Sequence, residues 1–208
     1  MATYSQIFDS STDTFSDDWT SVDGYWSIDS DQLWFNGSGG TWPSWVDYNS
    51  ALDTQWHYCE IKCVSVALTA GFMSPIVNAV PGEKTGYASL TRQSSSISRL
   101  TKYVDGESST TLASTGEGEG PPIVNRLERD GAFLRLYKDG VEIAEYEILG
   151  TPLSGTGVAI KGHSNTGSRG EDFFAGDISQ SAGAPTLSLP NVTSITANSA
   201  VPNVTLTF

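Results

Sequence analysis

The fold class of this chain follows from one stretch, Ile123-Val-Asn-Arg-Leu-Glu-Arg-Asp-Gly-Ala-Phe-Leu-Arg-Leu-Tyr-Lys-Asp-Gly-Val-Glu-Ile-Ala144. It contains two Asp-Gly pairs, at Asp130-Gly131 and Asp139-Gly140. Asp-Gly is a preferred pair for a type I′ hairpin turn, because both central residues of that turn need positive φ. Between the two pairs, Leu134 and Leu136 alternate with aromatic and charged residues, as on a strand with one buried face. The stretch therefore predicts three antiparallel strands joined as a meander.

The rest of the chain continues this pattern of short strands separated by turn residues. No window of about 11 residues has apolar residues at helical spacing between two caps. Runs rich in Val, Ile, Thr and aromatic residues alternate instead with Gly, Asp, Asn and Ser. The pattern predicts an all-β chain of two packed antiparallel sheets. The thirteen predicted strands are 24–28, 32–36, 44–48, 56–67, 71–77, 86–92, 97–104, 110–114, 123–129, 133–138, 141–148, 157–161 and 171–178.

The strand pattern divides the 208 residues into three parts. Residues 1–179 are predicted to form the β-sandwich, and residues 180–185 form a linker of small residues that ends in proline. Residues 186–208 form a β tail too short to bury a core alone. Its alternating Val204, Leu206 and Phe208 are therefore expected to contact a neighbouring chain, unless the tail begins a second sandwich.

The formal net charge of −13 limits the partners of the chain. An acidic surface repels phosphate backbones and anionic headgroups, so neither nucleic acid nor a membrane surface is an expected partner. No apolar run approaches the ~20 residues that cross a bilayer. The first eight residues lack the basic and apolar segments of a secretory signal peptide, so none is expected.

The two cysteines, Cys59 and Cys63, lie four residues apart in a predicted strand. At ~3.3 Å per residue their Cα atoms are about 13 Å apart, which is too far for a disulfide. We expect two free thiols that point to one face with Ile61 and are buried as small apolar side chains.

Three segments resemble the laminin-G-like, concanavalin-A-like domains found in phage and bacterial surface proteins. They are Asp13-Thr-Phe-Ser-Asp-Asp-Trp19 with Gly24-Tyr-Trp-Ser-Ile28, the hairpin that begins at Arg126, and the closing strand Gly170-Glu-Asp-Phe-Phe-Ala-Gly-Asp-Ile178. The resemblance spans roughly residues 4 to 179 and implies a jelly-roll sandwich of two antiparallel sheets with a C-terminal β extension. It also implies that Trp19 and Trp26 lie in the seam between the sheets.

The segment after the linker is similar to the start of Ig-like modules in phage structural proteins. This resemblance implies a non-enzymatic virion protein, a capsid decoration or a tail or surface appendage subunit, made in the host cytoplasm. Such a protein acts through self-association or contacts with other virion proteins, and through surface glycans. The alternative is a carbohydrate-binding module with an extracellular or cell-surface location.

A glycoside hydrolase is a further alternative, because the glucanase branch of this superfamily carries three carboxylates at even spacing on one strand. The nearest match is Glu142-Ile-Ala-Glu145-Tyr-Glu147, in which Glu145 and Glu147 share a face and Glu142 falls on the other. Neither His57 nor His163 accompanies a Gly-x-Ser-x-Gly nucleophile elbow. We therefore expect no enzymatic activity.

Glycan binding would use an exposed aromatic face, and Trp42 and Trp45 are the candidates because Gly-rich residues 37–40 precede them. Their spacing of three places them on opposite faces of a strand, so at least one belongs to the core. Whether the pair is framework or binding platform stays open.

Calcium is the one cofactor that the resemblance suggests, since related sandwiches hold it with loop carboxylates. The candidate ligands are Asp13, Asp17, Asp18 and Asp172, whose hard oxygen atoms suit Ca²⁺. No repeat spacing singles out one set among them.

Overall fold

The computed structural model describes residues 1–9, 15–22, 26–35, 44–65, 73–92, 97–106, 109–116, 122–162 and 168–179. These residues form fifteen strands and one helical turn. In chain order they are β1 (Thr3–Gln6), α1 (Phe15–Asp18), β2 (Trp19–Ser21), β3 (Trp26–Asp29), β4 (Gln32–Phe35), β5 (Ser44–Tyr48), β6 (His57–Ser65), β7 (Ser74–Ala79), β8 (Gly86–Arg92), β9 (Ile97–Tyr103), β10 (Thr110–Thr115), β11 (Ile123–Asp130), β12 (Phe133–Lys138), β13 (Val141–Glu147), β14 (Gly157–Gly162) and β15 (Ser168–Asp177).

The strands form two antiparallel sheets. Sheet A has the order β13-β12-β11-β6-β15-β4-β3, and β1 pairs with β15 off this path. Sheet B has the order β10-β9-β8-β7-β14-β5-β2. The prediction of an all-β sandwich of two antiparallel sheets is confirmed.

The core lies between the sheets and follows the period-two alternation of the strands. Along β11 and β12, inward residues such as Leu127 and Leu134 are fully buried, while their sequence neighbours are partly exposed. Trp19 of sheet B packs edge-on against Phe173 of sheet A, with ring centroids 4.9 Å apart. Trp26 is 7% exposed in the same cluster, so both tryptophans are core residues as expected.

The cysteine prediction is confirmed. Cys59 and Cys63 are not joined by a disulfide, and both are fully buried beside Ile61 in the core between the sheets. Burial raises the pKa of the Cys59 thiol, so it is held in the neutral form.

The two Asp-Gly turns of residues 123–144 have different backbone conformations. At Asp139-Gly140 both residues have positive φ, 49° and 80°, as a type I′ turn requires. In the first turn, Asp130 pairs with Phe133, which leaves Gly131-Ala132 as the two-residue loop, and only Gly131 has positive φ. This is the pattern of a type II′ turn with glycine in first position, so the prediction of two identical turns is wrong.

A β-bulge in β13 overturns the predicted facing of Glu142. Leu136 pairs with Ala144, but the next residue, Tyr137, pairs with Glu142, so Ile143 is extra. The extra residue returns Glu142 to the outer face that carries Glu145. Both carboxylates approach the Arg135 guanidinium, at 3.9 and 2.8 Å. The spacing argument against three carboxylates on one face therefore fails at this strand.

Residues 180–208 lie outside the described residues, so the linker, the β tail and the interface residues Val204, Leu206 and Phe208 stay predictions. Within the described ranges, no helix is long and apolar enough to cross a membrane.

Candidate functional site

The outer face of sheet B carries a second apolar cluster, separate from the core between the sheets. Trp45 of β5 is fully buried there, whereas its neighbour Val46 points into the main core. The members of this second cluster are Trp45, Ile76, Ala79, Ala88, Tyr103 and Ala159, with Val22 packed against them.

Sheet B curves toward this outer face. Trp45 of β5 and Tyr103 of β9 are separated by three strands, a distance of about 19 Å on a flat sheet. Their ring centroids nevertheless lie 5.5 Å apart, with the rings nearly perpendicular. Two aromatic side chains can meet over three strands only if the sheet is concave on their side. We call this surface the concave face.

Small side chains line the middle of the concave face. Asp47, Ala159 and Ile76 are paired neighbours across β5, β14 and β7, and the row continues through Ala88 and Thr101. Because the two alanines of this row leave space above the sheet, longer side chains from neighbouring positions can extend across it. Lys161 does so, and its Nζ donates to the Tyr103 hydroxyl at 3.0 Å.

The Lys161 ammonium also affects the Tyr103 hydroxyl. Burial raises the pKa of this group, but the Lys161 charge and the hydrogen bonds around the hydroxyl together outweigh burial and leave the pKa lowered. The concave face is therefore polar as well as aromatic.

Asp47 is the buried carboxylate of the concave face, with 3% of its surface exposed. Its Oδ2 accepts a hydrogen bond of 2.7 Å from the Gly82 N–H, while its Oδ1 is buried without a partner. Burial raises the pKa of Asp47 to about 6, an effect that the Gly82 hydrogen bond partly offsets. Two residues away, the Trp45 indole N–H is also buried without a partner.

A shallow cleft of ≈ 340 Å³ opens beside this cluster. Its walls come from the end of β2, the loop of residues 80–85 between β7 and β8, and the turn after β9. The residues that line it are Val22, Gly82, Glu83, Lys84, Asp105 and Gly106. The volume is at the lower end of the range for small-ligand sites.

Hydrogen bonds join two of the walls, the 80–85 loop and the turn after β9. The Gly106 N–H donates to the Lys84 carbonyl at 3.1 Å, and the Asp105 N–H donates to the Thr85 hydroxyl at 2.9 Å. Gly82, Asp105 and Gly106 all have positive φ, as tight turns demand. The cleft is therefore joined to the concave face, since Gly82 bonds Asp47 and Val22 N–H donates to the Trp45 carbonyl at 3.1 Å.

Of the two tryptophans predicted as a glycan-binding pair, the structure describes only one. Trp45 is a buried framework residue of the second cluster, and Trp42 lies outside the described residues. Their role in glycan binding stays a prediction.

The predicted calcium ligands are on different elements. Asp17 and Asp18 belong to α1, where the Asp17 carbonyl accepts from the Asn49 amide at 3.1 Å. Asp172 lies on β15 of sheet A, 3.6 Å from the Lys62 ammonium, and Asp13 is outside the described residues. In the part of the chain that the structure describes, no three acidic, His or Cys side chains form a metal-sized group. Calcium binding stays a prediction.

The outer face of sheet A is the alternative surface, and two of its aromatic rings already lie against arginine side chains. The Arg126 guanidinium lies 3.8 Å from the centroid of the Tyr58 ring, and Arg169 lies 5.0 Å from that of Trp34. The same arginines bond carboxylates, as in the 2.6 Å contact of Arg126 with Glu128. Stacked guanidinium groups leave less ring surface for a ligand, so the cleft is the better candidate.

Two turn signatures, Pro81-Gly82 and Asp105-Gly106, contain three of the six cleft residues. Sequence reasoning missed them as site residues, because a turn signature does not reveal which other turn it meets.

Known proteins were compared with the chain by sequence and by structure. No protein-family model and no curated protein matches the sequence. A Bacillus subtilis protein of unknown function with a galectin-like fold matches in structure with a TM-score of 0.64 and 12% identity, covering 84% of this chain and 94% of its own.

Two further solved structures are similar. The carbohydrate-binding module CBM66 from Bacillus subtilis has a TM-score of 0.59 and 13% identity, over 74% of this chain and 91% of that one. A Bacillus licheniformis β-glucanase has a TM-score of 0.51 and 8% identity, over 86% and 99%. At such identities the likeness concerns the fold alone. The chain shares the two-sheet jelly-roll sandwich of these structures, consistent with the concanavalin-A-like resemblance.

Proposed function

We propose that this chain is a glycan-binding module that holds a sugar residue in the cleft beside the concave face of sheet B. The observation that carries the proposal is the composition of the cleft. The charged residues Glu83, Lys84 and Asp105 line it together with Gly82 and Gly106. A carbohydrate-binding module among the solved structures of this fold supports the same interpretation.

The chemistry of the cleft suits a polyhydroxylated ligand. A carboxylate accepts hydrogen bonds from sugar hydroxyls, and an ammonium donates to their oxygen atoms. Such charge-assisted hydrogen bonds are about twice as strong as neutral ones. Val22 adds an apolar wall against which the C–H face of a sugar can pack.

We propose binding without cleavage. A glycosidase needs a general acid whose carboxyl stays protonated near neutral pH because it is buried. The two carboxylates that line the cleft, Glu83 and Asp105, are exposed and lack that burial. The buried Asp47 carboxylate is not part of the lining and accepts the Gly82 N–H. The virion role and its locations stay predictions, since a glycan-binding cleft would serve a virion surface protein and an extracellular module equally.

The test is a glycan array on the full chain, followed by calorimetry on the strongest ligand. Each of Glu83→Gln, Asp105→Asn and Lys84→Met is expected to weaken binding about tenfold, as loss of one charged hydrogen bond predicts. Glu145→Gln is the matched control, because it removes an exposed carboxylate from sheet A, outside the cleft.

Two results would contradict the proposal. An array without signal would remove glycan binding altogether. A glycan that still binds all three cleft variants but not Trp42→Ala would move the site to the predicted aromatic pair.

A further inference from the structure

We infer that Asp47 is a positioning residue for the cleft: its carboxylate fixes the 80–85 loop against the concave face through Gly82, and its protonation favours this closed position. The consequence for ligand affinity rests on the proposed function, whereas the behaviour of the loop does not.

The 80–85 loop is held together by its own hydrogen bonds. The Glu83 N–H donates to the Val80 carbonyl at 3.0 Å, and the Val80 N–H donates to the Thr85 carbonyl at 3.1 Å. At its exposed tip, the Gly82 N–H reaches down to Asp47 Oδ2 at 2.7 Å. The position of this wall of the cleft therefore depends on the Asp47 carboxylate.

The surroundings of Asp47 compensate a negative charge poorly. The charged or titratable groups on the elements around it are Lys161 of β14, Tyr103 of β9, Asp105 of the turn after β9, and Glu83 and Lys84 of the loop. Thr20 is its paired neighbour on β2. Lys161 Nζ is bonded to the Tyr103 hydroxyl. Among the described residues, none forms an ion pair with Asp47, and its Oδ1 has no partner.

A buried carboxylate in this condition favours the protonated form. If the loop lifts, water reaches Asp47 and relieves part of the burial that raises its pKa to about 6, while the smaller, opposing effect of the Gly82 hydrogen bond is lost. The closed position therefore binds the proton more tightly than the open one. By linkage, closure is most favoured at acidic pH and loses this support as pH rises through about 6.

The size of the effect depends on the pKa of Asp47 in the open position. If the open position restored the full ordinary value of 3.8, the closing equilibrium would fall about tenfold between pH 5, one unit below the pKa of the closed form, and pH 7.5. A ligand that needs the Gly82 wall in place would lose up to about tenfold in affinity over this range.

The first experiment needs no ligand. The amide signal of Gly82 is followed by NMR from pH 5 to pH 7.5, together with its hydrogen exchange corrected for the intrinsic rate. We expect the signal to titrate near pH 6 and the protection to fall by up to about tenfold as pH rises. In Asp47→Asn, which keeps an acceptor for the Gly82 N–H but has no charge, both should be constant.

Glu145→Gln is the matched control, because it removes an exposed carboxylate of sheet A away from the loop and should leave the titration unchanged. A Gly82 signal that does not titrate in the wild-type chain would overturn the inference even if Asp47→Asn failed to fold. So would a titration that persists in Asp47→Asn, or protection that rises with pH.

The second experiment measures the affinity of the array-selected glycan at both pH values. We expect tighter binding at pH 5 in the wild-type chain and equal binding in Asp47→Asn. Affinity independent of pH in the wild-type chain would refute the coupling between Asp47 and the ligand. If no glycan binds, the proposed function fails while the Gly82 titration still decides the role of Asp47.

Discussion

His57 is a fully buried side chain whose two ring nitrogens both have backbone partners. Its Nδ1 donates to the Thr54 carbonyl at 2.9 Å, and its Nε2 accepts the Asn78 N–H at 3.0 Å. This pair of bonds requires the neutral ring with its proton on Nδ1. Burial lowers the pKa of His57 to about 4.

This residue makes the fold sensitive to acid. The unfolded chain takes up the His57 proton near the ordinary pKa of 6.5, but the folded chain takes it up only near 4. The stabilisation is therefore complete above pH 6.5 and lost as pH falls toward 4, with a total of roughly 3 kcal/mol. We expect His57→Gln, which can bond both partners without titrating, to lose less stability between pH 7 and pH 4.5 than the wild-type chain.

Urea unfolding at both pH values measures this difference. Asp47 contributes with the opposite sign, since its pKa is raised, but both proteins share that contribution and it cancels in the comparison. Equal losses of stability in the two proteins would show that His57 is not the acid-sensitive group.

The turn between β12 and β13 contributes to the stability of the fold through one residue, Asp139. Asp139 has a φ of 49°, its Oδ1 accepts the Val124 N–H at 2.9 Å, and its own N–H donates to the Val124 carbonyl at 2.9 Å. The residue thus supplies both the left-handed backbone of the turn and a link to β11. Asp and Asn accept this backbone region more readily than other non-glycine residues.

We expect Asp139→Ala to lower the free energy of unfolding by about 2 kcal/mol, because it loses an acceptor and strains the turn. Asp139→Asn keeps both features and should stay within about 0.5 kcal/mol of the wild-type chain. Urea denaturation gives both values. Equal destabilisation by the two substitutions would assign the effect to the charge instead of the turn.

The strand pattern could be predicted from the sequence because each strand carries its own signal. All thirteen predicted strands overlap strands of the structure, with ends shifted by a few residues. The added strands β1 and β2 have only four and three residues and lack apolar alternation. Their partners, β15 and β5, are distant in the chain, so pairing instead of local pattern makes them strands.

The cleft could not be predicted, since it depends on how distant elements meet. Alternation shows that Trp45 and Val46 face opposite sides, but not that sheet B curves until Trp45 reaches Tyr103. Similarly, the extra residue Ile143 in β13 reverses the facing of Glu142 without any Gly or Pro to mark the bulge. Local pattern thus specifies strands, while curvature and register come from packing.

At the scale of the whole molecule, Asp177 closes the sandwich. Its carboxylate accepts hydrogen bonds from the N–H groups of Ala2, Asp53 and Thr54, and from the Thr54 hydroxyl. These bonds lower the pKa of Asp177 although burial opposes them. They tie β1 and the loop before β6 to the end of β15, so the described fold is complete at that residue.

We therefore expect a chain of residues 1–179 to unfold at the same temperature as the full chain when calorimetry is done at a concentration where both are monomeric. The predicted interface at Val204, Leu206 and Phe208 is tested on the same two chains by light scattering. The full chain should self-associate and the shorter one should be monomeric. Two monomers would remove the tail as an interface, and a lower melting temperature of 1–179 would make the tail part of the sandwich.

The same closure brings the two ends of the sandwich to one corner. The Asp177 N–H donates to the Ala2 carbonyl at 3.0 Å, and Ser179 Oγ lies 3.5 Å from Met1 Sδ. A carrier protein could therefore receive the whole sandwich as an insertion at a single surface loop, with little strain on either side. Equally, a short peptide could join the two ends, and the resulting circular permutant could have its new termini in another loop.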